Sequence, residues 1–426
     1  MSRLKMLSEA ADIYRYNGPA SLLLSALRFG NRRLLSPWHL TGADIYEECS
    51  QRFTVQSQIE KTLSYEGKFR EELPQPLARI EGTLTTPERV IGEYEDAHVM
   101  GPAMLVRIGR SYIVPVEVGS ARLESPTLSR NVSVIDVAKS YLRPDAPDRR
   151  VERGYLLTGK RGLPFAHWFY ETLPKLRWYE RYCALIGERP PLLLPAGLTD
   201  WQRESLRLMG YTKESWIECG RETVEVECLA IPPHPYRNRG SDFTGSPRNL
   251  QWIRDRMLSN LTDKSGSYPS RIYVSRDDAP RRQVRNEDEV MNVLSEFGFV
   301  KFVLSELAFE EQVRLFSGAD VVVGPHGAGL TNMLYATDLD VVELITIEGA
   351  AEHFFVLSNE LGHNYEFARC DPVSDPNTPP RHTDMTADTV RLREIMTDLG
   401  LEGTAANESW SRSRTDRSAP VTHDDL

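Results

Sequence analysis

A chain of 426 residues has room for roughly two to three domains with an ample buried core, so it needs no disulfide or metal staples. Apolar residues make up 40% and charged residues 26%, and 61 acidic against 51 basic residues give a net charge of −10. That is the composition of a globular protein; it disfavours a general nucleic-acid binder and leaves any anion site to a local cluster of arginines. Cys49, Cys183, Cys219, Cys228 and Cys370 form no C-x-x-C pair and read as free thiols of a reducing compartment. No apolar run is long enough for a membrane span, and Leu22-Leu23-Leu24 is too short for a signal peptide.

In chain order, residues 1–40 interleave Arg3, Lys5, Arg15, Arg28, Arg32 and Arg33 with an apolar patch around Leu22 to Phe29. This predicts a basic amphipathic helix that either lies on an anionic membrane surface or packs on the protein's own body with its arginines at the rim. Residues 41–150 read as a β-rich region, in which 103–108 and 112–118 flank Gly109-Arg110-Ser111 as a β-hairpin. Proline, aspartate and arginine over 142–153 predict a linker.

Residues 151–240 are expected to form a first Rossmann-like lobe. It carries a short buried strand over 192–194, a helix over 199–209 capped by Thr199 or Asp200 and stopped by Gly210, and a strand over 224–231. A loop over 232–246 leads to a second lobe, 241–400. There strands over 271–275, 300–304, 321–323 and 341–345 alternate with helices over 286–297, 308–319, 330–336 and 350–361. Four βα repeats predict a doubly wound α/β domain with right-handed crossovers. A proline-rich loop (371–382), a last helix (386–399) and a polar tail (401–426), expected to be disordered, complete the chain.

Ligands of doubly wound domains bind at the carboxyl ends of the strands, and two such ends are unusual here. In Asp320-Val321-Val322-Val323-Gly324-Pro325-His326-Gly327-Ala328-Gly329-Leu330-Thr331-Asn332, a buried strand enters a glycine turn and then a helix. Backbone N–H groups at such a helix start point at an anion, and His326 would present its ring there. The spacing fits neither G-x-G-x-x-G nor a P-loop. The other end leaves its strand with Arg276, Arg281, Arg282 and Arg285 before Asn286 caps a helix, and arginines there suit a bidentate grip on phosphate. Arg276, nearest the strand end, is the foremost candidate. Earlier in the chain, His167 and Glu171 stand four apart and share a helical face, as a general base or as a local hydrogen bond. Their aromatic company, Trp168, Phe169 and Tyr170, predicts a carboxylate pKa raised by burial. No G-x-S-x-G occurs, and Asp338-Leu339-Asp340 precedes its strand, at the edge away from ligand.

Three of these segments, His167-Trp168-Phe169-x-Glu171-x-Leu173-Pro174, Ser275-Arg276 with Arg282 and Asn286-Glu287, and Gly324 to Asn332, resemble the family-61 glycosyltransferases, with Val342-Glu343-Leu344 at the familiar distance. The resemblance spans about 154–365, and Pro164-Phe165-Ala166 departs from the asparagine and aromatics that often precede the histidine. It implies a GT-B-like α/β fold: two Rossmann-type lobes facing a cleft, with the nucleotide-sugar held by the C-terminal lobe. The implied activity is inverting, metal-independent transfer from a nucleotide-sugar, UDP-linked, to a glycan or polysaccharide acceptor, with no metal or other cofactor. Arg276, Arg282, His326, Gly327, Ala328, Gly329, Leu330, Thr331, Asn332 and Glu343 are the expected donor-binding residues. Glu171 or His167 is the expected base, Glu171 slightly ahead. A nucleotide-sugar epimerase of the same shape and a non-catalytic glycan- or nucleotide-binding subunit stay open as alternatives. The expected location is cytoplasmic, peripheral on the inner face of the cell membrane.

Overall fold

A computed structural model describes residues 39–40, 44–115, 147–159, 162–235, 246–262, 268–373 and 378–403. The predicted amphipathic helix (1–40) and polar tail (401–426) lie outside the described residues except at their inner edges.

The first sheet grows from the β-rich region. β1 (Gln51–Gln56) is followed by a separate hairpin of β2 (Ile59–Leu63) and β3 (Gly82–Thr86). The long strand β4 (Arg89–Met100) then pairs antiparallel with β1 at one end and with β5 (Leu105–Ile108) at the other. β5 and β6 (Ser111–Ile113) form the predicted hairpin, with Val106 opposite Ile113 and Gly109 turning at φ 53°, where only glycine is unstrained.

β7 (Arg149–Leu156) occupies the second half of the predicted linker. Its charges mimic a loop because they are paired across strands: Arg150 meets Glu225 at 3.2 Å, and Arg153 holds Glu93. β8 (Leu192–Pro195), β9 (Trp216–Cys219) and β10 (Thr223–Ile231) complete an eight-stranded sheet of order β6-β5-β4-β10-β7-β8-β9, with β1 as the eighth strand on β4. β10 runs antiparallel to β4 and parallel to β7, so the β-rich region and the first lobe share one sheet rather than lying apart. Only the half from β10 to β9 is parallel; the expected Rossmann-type first lobe is a mixed sheet.

The second sheet follows the predicted alternation closely. β11 (Arg271–Ser275), β12 (Val300–Val303), β13 (Val321–Pro325), β14 (Asp340–Ile345) and β15 (Asn364–Pro372) are parallel in the order β12-β11-β13-β14-β15, and β16 (Met385–Ala387) adds an antiparallel edge. In chain order this is 2-1-3-4-5, whose topological switch falls between β11 and β13. Both faces of these strands are covered. Ile272, Val322 and Val341 pack into one core, and Tyr273, Val321 and Val323 into another.

Seven helices of eight or more residues are α-helical among the described residues: α1 (Pro174–Ile186), α2 (Asp200–Leu208), α3 (Pro247–Ser259), α4 (Glu287–Glu296), α5 (Phe309–Ser317), α6 (His353–Leu361) and α7 (Thr389–Asp398). Thr199, one of the two expected caps, stands at the start of α2, and its N–H donates to the Gln202 side chain at 2.7 Å. Asn286 does not cap α4. Its amide instead pairs both ways with the backbone of Ala387 in β16. The helix expected over 330–336 is a 3₁₀ run, Ala328–Tyr335, unusually long for that conformation. Among the described residues no helix is long and apolar enough to cross a membrane.

Contacts on two sides tie the sheets together. Phe169, just before α1, stacks on Phe309 of α5 at 5.8 Å and meets Tyr335 edge-on at 6.1 Å. From the other side, the segment after β2 reaches the second sheet: Ser64 N donates to Asn359 at 2.9 Å, and the Tyr65 hydroxyl to Glu366.

Candidate active site

The glycine stretch leaves β13 at the topological switch, directly beside Arg276 at the end of β11. Its glycines serve close approach rather than a left-handed turn, since none of Gly324, Gly327 and Gly329 has positive φ. A Cβ on Gly327 would lie 2.2 Å from Arg276 Nη1, and one on Gly329 would lie 3.1 Å from Val274. The guanidinium of Arg276 therefore lies against the turn, held by two 3.3 Å hydrogen bonds to the Arg281 carbonyl.

His326 follows the strand, and its Nδ1–H donates to Glu343 of β14. Glu343 is fully buried, and its other oxygen accepts the Tyr365 hydroxyl at 2.6 Å. With both oxygens occupied beneath the site, Glu343 orients His326; the expected contact with ribose or sugar is not available to it. Leu330, Thr331 and Asn332 are likewise interior. Asn332 donates to Gln312 at 3.2 Å and to the Gly329 carbonyl at 3.1 Å. Of the expected donor-binding set, Arg282 and His326 line the cleft, and Arg276 lies against Gly327 beside it.

Arg282 adopts φ 58°, strained for a non-glycine residue, and its Nε is buried with no hydrogen-bond partner. Burial first, then Arg276, push its pKa down to about 10, with Glu343 opposing. Together with His326, Thr346, Arg381 and Thr383 it lines a small open cleft. The local charge is strongly positive inside a protein whose net charge is negative.

The His167–Glu171 pair arrives from the other sheet. A turn of helix at Phe165–His167 runs through a π-helical turn, Trp168–Thr172, into α1. Pro174 explains the widened turn, because it has no N–H to offer the carbonyl of residue 170 and its ring crowds that group. His167 Nδ1 donates to Glu171 Oε1 at 2.8 Å, and His234 Nε2 stands 3.0 Å from Oε2. The predicted raised pKa of Glu171 is overturned. Burial pushes it up, but the charge of His234 and the hydrogen bonds from both histidines hold it well below the usual carboxylate range. Lys175, one helical turn on, is also buried, and desolvation lowers it to about 8 against the pull of Glu171.

His353, at the start of α6, joins the two groups. Its ring lies 5.7 Å from that of His326. Burial, then the charges of His326, His167 and Arg282, push its pKa down to about 3, with Glu171 opposing. So the histidine pair of the first sheet and the arginine–histidine cluster of the second lie within electrostatic reach of one imidazole.

Sequence reasoning missed His234, His353, Tyr365 and Arg381. His234 follows β10 and His353 lies after β14, both at carboxyl ends of parallel strands. That position was the available signal. Among the described residues, no group of three or more His, Cys, Asp or Glu side chains is arranged to hold a metal ion.

Comparison with known proteins bears on this geometry. The Glycosyltransferase 61 family model matches residues 165–342. A β-1,2-xylosyltransferase of Arabidopsis thaliana is 27% identical over 179 residues, covering 37% of this chain and 32% of its own. A β-1,2-xylosyltransferase of Oryza sativa subsp. japonica is 29% identical over 147 residues, 30% of this chain and 27% of its own. An EGF domain-specific O-linked N-acetylglucosamine transferase of Gallus gallus is 34% identical over 77 residues, 17% of this chain and 14% of its own. The chain thus spans about a third or less of the length of these relatives. The segment that matches glycosyltransferase family 61, residues 165–342, thus runs from the turn that carries His167 and Glu171 through the glycine stretch into β14.

Proposed function

We propose that this chain is an inverting glycosyltransferase that moves a sugar from a nucleotide-sugar, most simply UDP-linked, to a hydroxyl of a glycan or polysaccharide. The two sheets act as the acceptor and donor lobes of a GT-B-like arrangement. The observation that carries the reading is the meeting of a carboxylate–histidine pair and an unneutralised arginine cluster around His353.

Donor diphosphate sits against Arg276, Arg282 and the Gly327–Gly329 backbone, where fixed N–H groups face the charge that grows on the leaving oxygen. His326, held at Nδ1 by Glu343, which Tyr365 holds in turn, presents its ring from the same side. His167 is the base: its Nδ1 is engaged by Glu171, which leaves Nε2 for the acceptor hydroxyl. As Nε2 takes the proton, the acceptor oxygen bonds to the anomeric carbon from the face opposite the leaving group. The bond from that carbon to the diphosphate oxygen breaks, and its electron pair leaves with the nucleoside diphosphate. Glu171, an anion held by two histidines, stabilises the imidazolium without itself taking the proton. This reverses the slight preference for Glu171 as base, because a carboxylate held so far below neutrality is a weak base.

The sugars in the relatives' names, xylose and N-acetylglucosamine, make UDP-xylose and UDP-N-acetylglucosamine the first donors to test. Release of UDP that depends on a glycan acceptor, with inverted anomeric configuration in the product and unaffected by excess EDTA, is the expected result. A changed sugar on UDP without acceptor would replace this reading by epimerisation. UDP binding without turnover on any acceptor would replace it by a binding subunit.

A further inference from the structure

The cleft beside Arg282 has a second wall that comes from outside the family-matched segment. After β15 the chain makes one 3₁₀ turn, Pro380–His382, before entering β16. Arg381 from this turn and Thr383 just after it line the cleft together with Arg282, His326 and Thr346. The segment just after the turn, Asp384 to Ala387, is sewn to the arginine loop. Asp384 Oδ1 accepts the Gln283 N–H at 2.9 Å, and Asp384 also pairs with Arg285. Met385 N donates to the Gln283 carbonyl at 2.9 Å, and Arg285 N to the Met385 carbonyl at 2.8 Å. The Asn286 amide bonds to Ala387 in both directions.

The arginine loop and the segment that carries Arg381 are thereby tied together by hydrogen bonds, which costs electrostatic energy unless an anion lies near the gathered charges. Burial, followed by the charges of Arg381, Arg281 and Arg282, lowers the proton affinity of His382, so all three arginines act on one point. The unpartnered, buried Nε of Arg282 marks where a hydrogen-bond acceptor belongs. The geometry points to the turn Pro380–His382 as part of the donor site, with Arg381 closing on the diphosphate together with Arg282 and Asp384 positioning both. This rests on the donor-site reading above and adds to it a residue that the matched family segment does not contain. The ligand chemistry required is a compact oxyanion carrying more than one negative charge, which a nucleoside diphosphate supplies.

Isothermal titration of UDP and of inorganic pyrophosphate into the full chain tests it. Arg381→Ala should weaken both by roughly tenfold or more, since a hydrogen bond to a charged group is lost, and Arg381→Lys should recover part of that. Arg248→Ala, an exposed arginine on α3, should leave both unchanged. Asp384→Asn gives a readout that charge alone would not: removing a negative group near an anion should tighten binding, whereas loss of the stitch weakens it. Weaker UDP binding in Asp384→Asn therefore supports the positioning role, and tighter binding overturns it. If Arg381→Ala binds UDP and pyrophosphate as the unsubstituted chain does, the turn is not part of the site, while the donor reading stands. If the unsubstituted chain binds neither ligand, the donor reading itself fails and takes this inference with it.

Discussion

Glu171→Gln separates a base from the group that holds it. The carboxylate accepts His167 Nδ1–H at 2.8 Å and stands 3.0 Å from His234. A glutamine has one acceptor oxygen and one donor amide, so it serves only one histidine and carries no charge for the imidazolium. At 2.8 Å and an effective dielectric of about 20, a unit charge pair is worth about 6 kcal/mol. The His167 side chain is 35% exposed, so solvent removes about half of that. Roughly 3–6 kcal/mol of transition-state stabilisation corresponds to a kcat lower by about 10²–10⁴-fold. UDP affinity should be unchanged, because the diphosphate lies against the other sheet. Stability should fall by about 1–3 kcal/mol for the buried partner left unsatisfied. Steady-state UDP release, with UDP binding measured separately, gives both numbers, and His167→Ala with the double variant completes the set. Residues acting as one unit are non-additive, so the double variant should be no slower than the worse single one. Near-normal turnover in Glu171→Gln, or losses that multiply in the double variant, would refute the dyad.

Three further outcomes are expected. Arg276→Ala should weaken UDP binding by about 1.5–3 kcal/mol with unchanged far-UV circular dichroism, and unaltered affinity would remove Arg276 from the site. Acid should destabilise the fold early. Burial holds His353 at about 3 and His363 at about 4, below their ordinary 6.5, so the unfolded chain takes up protons that the native state refuses. Stability is then full above about pH 6.5 and lost as pH falls toward 4. The depressed Glu171 adds a further loss below about pH 4.3. Denaturant titrations between pH 7.5 and 5 should show this, His363→Gln should flatten it, and pH-independent stability would contradict it. Finally, if residues 1–40 form a basic interfacial helix, the chain should pellet with anionic liposomes and be released by salt. Equal behaviour of a chain starting near residue 42 would favour a helix packed on the body.

The sequence by itself determined the second sheet. Runs such as Val321-Val322-Val323 are apolar on both faces, which suits a covered parallel strand, and the pattern placed α4 and α5 within two residues, while the helix expected over 330–336 is a 3₁₀ run and that over 350–361 starts at His353. Local chemistry also announced the two strand ends that carry Arg276 and His326, and the helical spacing of His167 and Glu171, since these depend on neighbours in the chain. Where reasoning failed, the deciding partner was far away in sequence. β7 looked like a linker because its charges find mates on β4 and β10. Asn286 looked like a cap, but β16, a hundred residues on, offered it a better pair of hydrogen bonds. Glu171 was expected to be neutral-leaning from its aromatic neighbours. Only the fold brings His234 to its second oxygen, and two donors on a buried carboxylate outweigh desolvation. The tertiary structure likewise decided that Glu343 is a support rather than a ligand contact, because Tyr365 on the neighbouring strand closes the oxygen that a sugar would have needed. Pattern along a chain reports burial and period. Charge state and accessibility depend on which groups the crossovers bring within about 4 Å, and that is set by strand order.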